Sequence, residues 1–217
     1  MILKKYIAKL WKNAYALIKN GCSFMQILKK EIQSRIQQVA THEFLRNGYQ
    51  EVTMRDIAKK SAISVGNLYN YYKNKEDLFD SLTSASYLYL NQLLREVNEH
   101  GPESGVANTE FAKSLVLKIA QLLKKHRVGF LLMIDRGQGT KYHNLKKEMI
   151  SLLVRHFEAE LMERDKPDAL LIMRIATKNL MYGLIEIAKN YQGDEWADRN
   201  IESLIDYHLH GISQLYI

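Results

Sequence analysis

The stretch from Thr53 to Lys75, TMRDIAKKSAISVGNLYNYYKNK, constrains this chain more than any other part of its sequence. Thr53 and Asp56 stand three apart, so each can satisfy a free backbone amide at a helix start, a capping box with Asp in place of Glu. Ile57 and Ala58 face inward, and the small Ala58 lets a second helix approach closely. Ser61, Ala62 and Ile63 make a tight turn, with Ile63 plugging the angle between the two helices. Ser64 then caps the second helix. Two short helices joined by about four residues form a helix-turn-helix unit.

Helical geometry assigns the faces of the second helix. At about 100° per residue, Val65, Leu68 and Tyr72 cluster on one side and pack on the first helix. The other side presents Gly66, Asn67 and Asn70, flanked by Tyr69 and Tyr71. That face is small, polar and aromatic and carries no acid, which suits a major groove about 12 Å wide. Asn pairs in bidentate fashion with adenine, and a Tyr hydroxyl can donate to a phosphate. Arg55 can reach a guanine edge or a phosphate, and Lys73 and Lys75 stand where backbone contacts set register.

The charge distribution points the same way. Residues 1–76 hold 14 Lys+Arg against 5 Asp+Glu, and the remainder holds 17 against 19. A basic segment on a near-neutral body is the footprint of a polyanion binder with a separate regulatory or oligomerising part.

The order and spacing of these residues resemble the TetR family of bacterial repressors. The resemblance rests on Thr53, Ile57-Ala58, Ser64, Gly66, Leu68-Tyr69, Tyr71-Tyr72 and Lys75-Glu76-Asp77-Leu78, with Ala40, Phe44 and Gly48 upstream. It covers about residues 30–80. Carried over by position, it marks Thr53, Arg55, Val65, Gly66, Asn67, Tyr69, Asn70, Tyr71 and Lys75 as DNA-facing; helical geometry instead turns Val65 inward. Two departures stand out: Ala62 replaces the usual glycine of the turn, and Tyr72 the usual phenylalanine. Ala62 must then avoid a strongly left-handed backbone.

The rest of the chain reads as all-α, with no stretch alternating like a half-buried strand. The periodicity predicts helices over 1–20, ended by Gly21, and over 26–47, ended by Asn47-Gly48. Further helices are expected at 53–61, 64–72 and 74–99, the last capped by Asn74, before a linker opening with His100-Gly101-Pro102. Helices at about 106–125, 127–135, 141–163, 167–190 and 194–214 follow, with a break at Gly137 and Gly139. This divides the chain into a basic amphipathic extension (1–24), a helix-turn-helix domain (25–79) and a helical domain (80–217). Met25 would be a natural start for a standard family member, which leaves residues 1–24 as added phosphate contacts, a cover for the body, a membrane-surface helix, or an upstream translation artefact.

The resemblance implies that the C-terminal domain binds an unknown small-molecule effector and forms a homodimer through its last two helices. Two apolar helices, 169–190 and 194–214, support a four-helix interface between two chains. An effector pocket would draw on residues 84–188, with Tyr87, Phe111, Phe130, Met133, Met173 and Tyr182 as candidates. The expected function is a sequence-specific repressor on a palindromic operator in double-stranded DNA, released by the effector. The alternative is a non-specific nucleic-acid or membrane-surface binder working through the basic third.

Other chemistry finds no foothold. Cys22 is the single cysteine, so no internal disulfide forms, and a reducing cytoplasm is the expected compartment. The N-terminal lysines interrupt any signal-peptide core, and no stable membrane insertion is expected. Arg136 to Thr140 lacks the Gly-Lys-Ser/Thr of a phosphate loop. Asp206, His208 and His210 are two apart on a helix and point away from one another. No cofactor, metal or enzyme is expected.

Overall fold

The computed structural model describes the backbone of residues 2–99, 109–163 and 167–213, and the side chains of 26–99, 114–159, 162, 167–208 and 210–211. The linker residues 100–108 and the side chains of Phe111 and of the extension 1–24 lie outside the described residues. The described backbone is all-α: α1 Ile2–Glu51, α2 Met54–Lys60, α3 Val65–Tyr69, α4 Lys75–Glu99 and α5 Thr109–Lys125. Then come α6 Arg127–Arg136, α7 Leu145–Glu163, a 3-10 turn at Pro167–Ala169, α8 Leu170–Lys189 and α9 Asp194–Ser213.

Gly21 does not end the first helix as expected; α1 runs through it. Glycine in a helix interior costs only about 1 kcal/mol, which a long helix tolerates. The break comes at Gly48, whose backbone turns to φ 81° and ψ 162°.

Two compact units divide the chain: Met1–Glu43 with Thr53–Leu78, and Phe44–Val52 with Phe79–Ile217. In the first, the buried apolar residues among those described are Ile36 and Ala40 of α1, Met54, Ile57 and Ala58 of α2, Leu68 of α3, Tyr72, and Leu78 of α4. Among the described side chains of α1 the first buried one is Ile36, and Ile27 and Leu28 are exposed.

In the second unit, α8 packs between α7 and α9, and α5 lies along α9. Here α4 and α6 approach so closely that a Cβ on Gly129 would stand 2.1 Å from the Ser86 Oγ. That hydroxyl donates to the His126 carbonyl at 3.1 Å, tying α4 to the start of α6. Rings of Phe44, Tyr49, Phe79, Tyr142 and Tyr87 form a chain of contacts with centroids 5.1–6.2 Å apart. Edge-on and tilted rings of this kind add stabilisation beyond their buried area.

Candidate nucleic-acid interface

Capping side chains fix both ends of the connection between α2 and α3. The Thr53 hydroxyl accepts from the Asp56 amide at 3.2 Å and donates to the Asp56 carboxylate at 2.5 Å. The Thr53 hydroxyl, and after it the Thr53 backbone, hold the Asp56 carboxyl below its usual range. Ser64 accepts from the Asn67 amide at 3.1 Å and starts α3. Asn74 accepts from the Asp77 amide and Asp77 accepts from the Lys73 amide, both at 2.8 Å, which starts α4 and pins the residues leaving the recognition segment.

The turn between α2 and α3 is a Schellman motif. The Ile63 amide donates to the Ala58 carbonyl at 3.1 Å and the Ala62 amide to the Lys59 carbonyl at 3.2 Å. This pairing requires a left-handed residue, and Ala62 supplies it at φ 52°. The expectation that Ala62 avoids that conformation is therefore corrected. The two hydrogen bonds and the caps on either side hold the alanine where a glycine would sit without strain.

α3 is shorter than the sequence implied. It spans Val65–Tyr69, with Asn70 as its C-cap and a turn through Tyr71 and Tyr72 bonded back to the Leu68 carbonyl. Leu68 and Tyr72 are buried, whereas Val65 is half-buried and stands at the edge of the packed face. Thr53, Arg55, Ser64, Gly66, Asn70 and Lys73 are exposed, and Tyr69 is 50% exposed. Asn67, Tyr71 and Lys75 are half-buried. A Cβ on Gly66 would meet nothing within 4 Å. Packing inside the chain therefore does not explain this glycine, which leaves an open notch in the exposed face of a helix.

One buried carboxylate braces the unit from behind. The Glu43 side chain is 6% exposed and takes the Lys60 ammonium at 2.6 Å, joining α1 to the end of α2. The Lys60 hydrogen bond holds the Glu43 carboxyl below its usual range, against the opposing effect of burial. Sequence reading missed Glu43, because pattern alone does not reveal an acid placed on an apolar face opposite a lysine.

The second unit holds a cavity of about 80 Å³ lined by residues of α4, α5, α6, α7 and α8. Of the side chains expected to line a pocket, Phe130 does so. Tyr87 packs edge-on against Tyr142, and Met173 packs among Phe157, Ala169, Leu170 and Ala176. Met133 is buried in α6, and Tyr182 is 51% exposed with the Lys146 ammonium over its ring. The walls come instead from leucines such as Leu90, Leu93 and Leu122, whose spacing reads as ordinary core. His208 and His210 each bond the backbone carbonyl four residues earlier in α9.

Residues 36–82 match the family described as bacterial regulatory proteins, tetR family. An uncharacterized HTH-type transcriptional regulator of Bacillus subtilis (strain 168), YhgD, is 28% identical over 107 residues, 48% of this chain and 51% of that protein. The fatty acid metabolism regulator protein of the same organism is 24% identical over 111 residues, 51% of this chain and 56% of that protein. The match thus spans about half the length of these curated relatives. A TetR-like transcriptional regulator from Rhodococcus sp. RHA1 shares the fold at TM-score 0.51 and 18% identity, covering 83% of this chain and 96% of that one.

Proposed function

We propose, from the premise that this chain belongs to the TetR family of bacterial regulatory proteins, that it is a sequence-specific repressor which a small-molecule effector releases from its operator. The observation that carries the DNA half of this reading is the exposed face of α3. Gly66 leaves room there for a partner's surface, Tyr69 projects, and no acid lies between Ser61 and Lys75. Asn67 and Asn70 read base edges in the major groove. Tyr69, Tyr71, Lys73 and Lys75 contact phosphates and set register, and Arg55 reaches a phosphate or a guanine from α2.

The working form is a homodimer with one α3 in each of two successive major grooves, about 34 Å apart on a palindromic operator in the cytoplasm. Its interface uses α8 and α9. Leu171, Ile172, Ile175 and Tyr182 form an exposed apolar stripe on α8, and Tyr207 is 75% exposed on α9. Among the described residues, no helix is long and apolar enough to cross a membrane. Division of labour follows the sequence: 25–79 bind DNA, 80–217 bind effector and dimerise, and 1–24 add phosphate contacts or cover the body.

Helix α4 provides the coupling. Its first turn, Lys75–Leu78, belongs to the DNA-binding unit, and Leu90, Leu93, Leu94 and Val97 line the cavity of the other. A ligand that prefers one placement of α4 shifts the population of DNA-competent dimers by its difference in affinity for the two states.

Selection of bound DNA from a random pool, followed by gel shift, tests the reading. A palindromic consensus is expected, with affinity falling steeply as salt rises. Asn70→Ala and Tyr69→Ala each weaken operator binding at unchanged fold. Equal affinity for unrelated sequences, or wild-type binding by both variants, overturns it.

A further inference from the structure

The start of α1 carries a pattern of polarity that the DNA-facing helix does not use. Its backbone is helical from Ile2 onward, so spacing alone sets which residues share a face. Leu3, Ile7, Leu10, Leu17, Phe24 and Leu28 recur at steps of three, four or seven. At about 100° per residue they fall within an arc of about 100°. Lys5, Lys9, Lys12, Lys19 and Lys30 take the opposite side of the helix, and Ile2 and Ile27 fall outside the apolar arc. Tyr6, Trp11 and Tyr15 take positions at the borders between the two faces, one of which Lys4 and Lys29 share. Residues 1–30 hold seven lysines, and the first acid of the chain is Glu31.

Further along α1 the same face loses its cover within its own unit. Along the row Ile36, Ile32 and Leu28, the side chain passes from fully buried through half-buried to 42% exposed. Lys29 and Lys30 beside it are exposed. From Leu28 back to Leu3 the apolar arc continues for roughly 40 Å at 1.5 Å per residue.

Possible covers differ in which face they satisfy. DNA pairs with the lysines and leaves the leucine face in water. The same segment of a second copy buries the leucines but brings seven lysines against seven with no acid between them. An anionic bilayer surface takes both faces, with the apolar arc at the acyl boundary and the lysines at the lipid phosphates. Trp and Tyr at the borders suit the headgroup level, where amphipathic rings collect. Lysines recur along the whole segment, which keeps it in the interface and out of the bilayer centre.

We propose that residues 2–28 form an interfacial helix that lies flat on an anionic membrane surface. This narrows the role given above to residues 1–24, since the phosphates they meet are those of lipid headgroups, and it stands apart from the repressor reading. One compact unit then carries both a DNA-reading face and a lipid-reading face.

Co-sedimentation of the full chain with vesicles tests this. Vesicles of roughly 30% phosphatidylglycerol in phosphatidylcholine should bind, and phosphatidylcholine alone should bind at least about tenfold more weakly. Lys5→Gln, Lys12→Gln and Lys19→Gln together keep the apolar face and should weaken binding about a hundredfold, at about fivefold per lysine. Leu10→Asp with Leu17→Asp should abolish binding at an unchanged melting temperature. In Trp196→Phe, Trp11 is the single remaining tryptophan. Its emission should shift to the blue on anionic vesicles and be quenched by brominated acyl chains, a readout that does not depend on the leucine variant. No vesicle binding, equal affinity for both vesicle types, binding kept by the leucine variant, or a Trp11 emission indifferent to lipid overturns the proposal. So does a lysine variant that loses DNA affinity while the parent chain ignores vesicles, which assigns the segment to DNA. A leucine variant that loses self-association in the absence of lipid, with no vesicle binding by the parent, assigns it to a second copy and overturns the proposal as well. Operator binding is measured separately, so its failure removes the repressor reading and leaves the lipid result standing.

Discussion

Ala62 holds a backbone that an L-residue adopts at a cost of about 1–2 kcal/mol. Glycine avoids that cost but loses roughly 0.5–1 kcal/mol more backbone entropy on folding. Ala62→Gly should therefore stabilise the protein by about 1 kcal/mol, seen as a melting temperature raised by a few degrees at unchanged operator affinity. The buried Tyr72 hydroxyl has no hydrogen-bond partner among the described residues, and neither has the buried Ser61 hydroxyl. Tyr72→Phe removes one unsatisfied group and should add about 1 kcal/mol in a denaturant titration. Gly66 behaves in the opposite sense. Gly66→Ala improves the helix by up to about 1 kcal/mol while its methyl fills the notch offered to DNA. Higher melting temperature with weaker operator binding is the expected pair, and unchanged binding would remove Gly66 from the interface. For Glu43, the folded-state value lies below the unfolded one. Its contribution is thus present above the ordinary glutamate range and is lost as pH falls through that range and past Glu43's own lowered value. Because Lys60 is 51% exposed, solvent screens the pair, and Lys60→Ala should cost about 1 kcal/mol at neutral pH. Chemical denaturation from pH 7 to pH 3 should show that difference shrinking with acid.

At the scale of elements, legibility followed the range of the interactions involved. Thr53, Ser64 and Asn74 were readable as caps because each cap needs only residues within three positions of itself. The inward placement of Leu68 followed from helical spacing, whereas Tyr72 is buried from a turn beyond the end of α3. Ala62 was misjudged because residue preference outweighed the demand of the Schellman bonds, which become visible only when Ala58 and Lys59 are in place. Gly21 was misjudged because a glycine permits a helix to end without compelling it. The cavity was legible only in part: of the expected side chains Phe130 lines it, within the expected span 84–188. Its walls come from five helices, and nothing in the spacing of Leu90 or Leu122 distinguishes a wall from a filled core. Methionine and aromatic side chains suit an adaptable apolar ligand but also fill ordinary cores, and Tyr87 and Met173 are packed in that way.

At the scale of the molecule, the helices cross the division between the units. α4 passes it between Leu78 and Phe79, and α1 between Glu43 and Phe44. Melting one unit while the other stays folded would cut both helices there. Each cut leaves up to about four amides or four carbonyls without partners, and helix is costly to nucleate again. The two units should therefore unfold together, in one calorimetric transition in place of two. Ala62→Gly, made in the turn before α3, should then slow hydrogen exchange in α8 by the same free energy as in α2, and a second transition or an α8 indifferent to the substitution would refute this. One calorimetric transition would mean that stability gained in the helix-turn-helix unit is also protection for the cavity of the other.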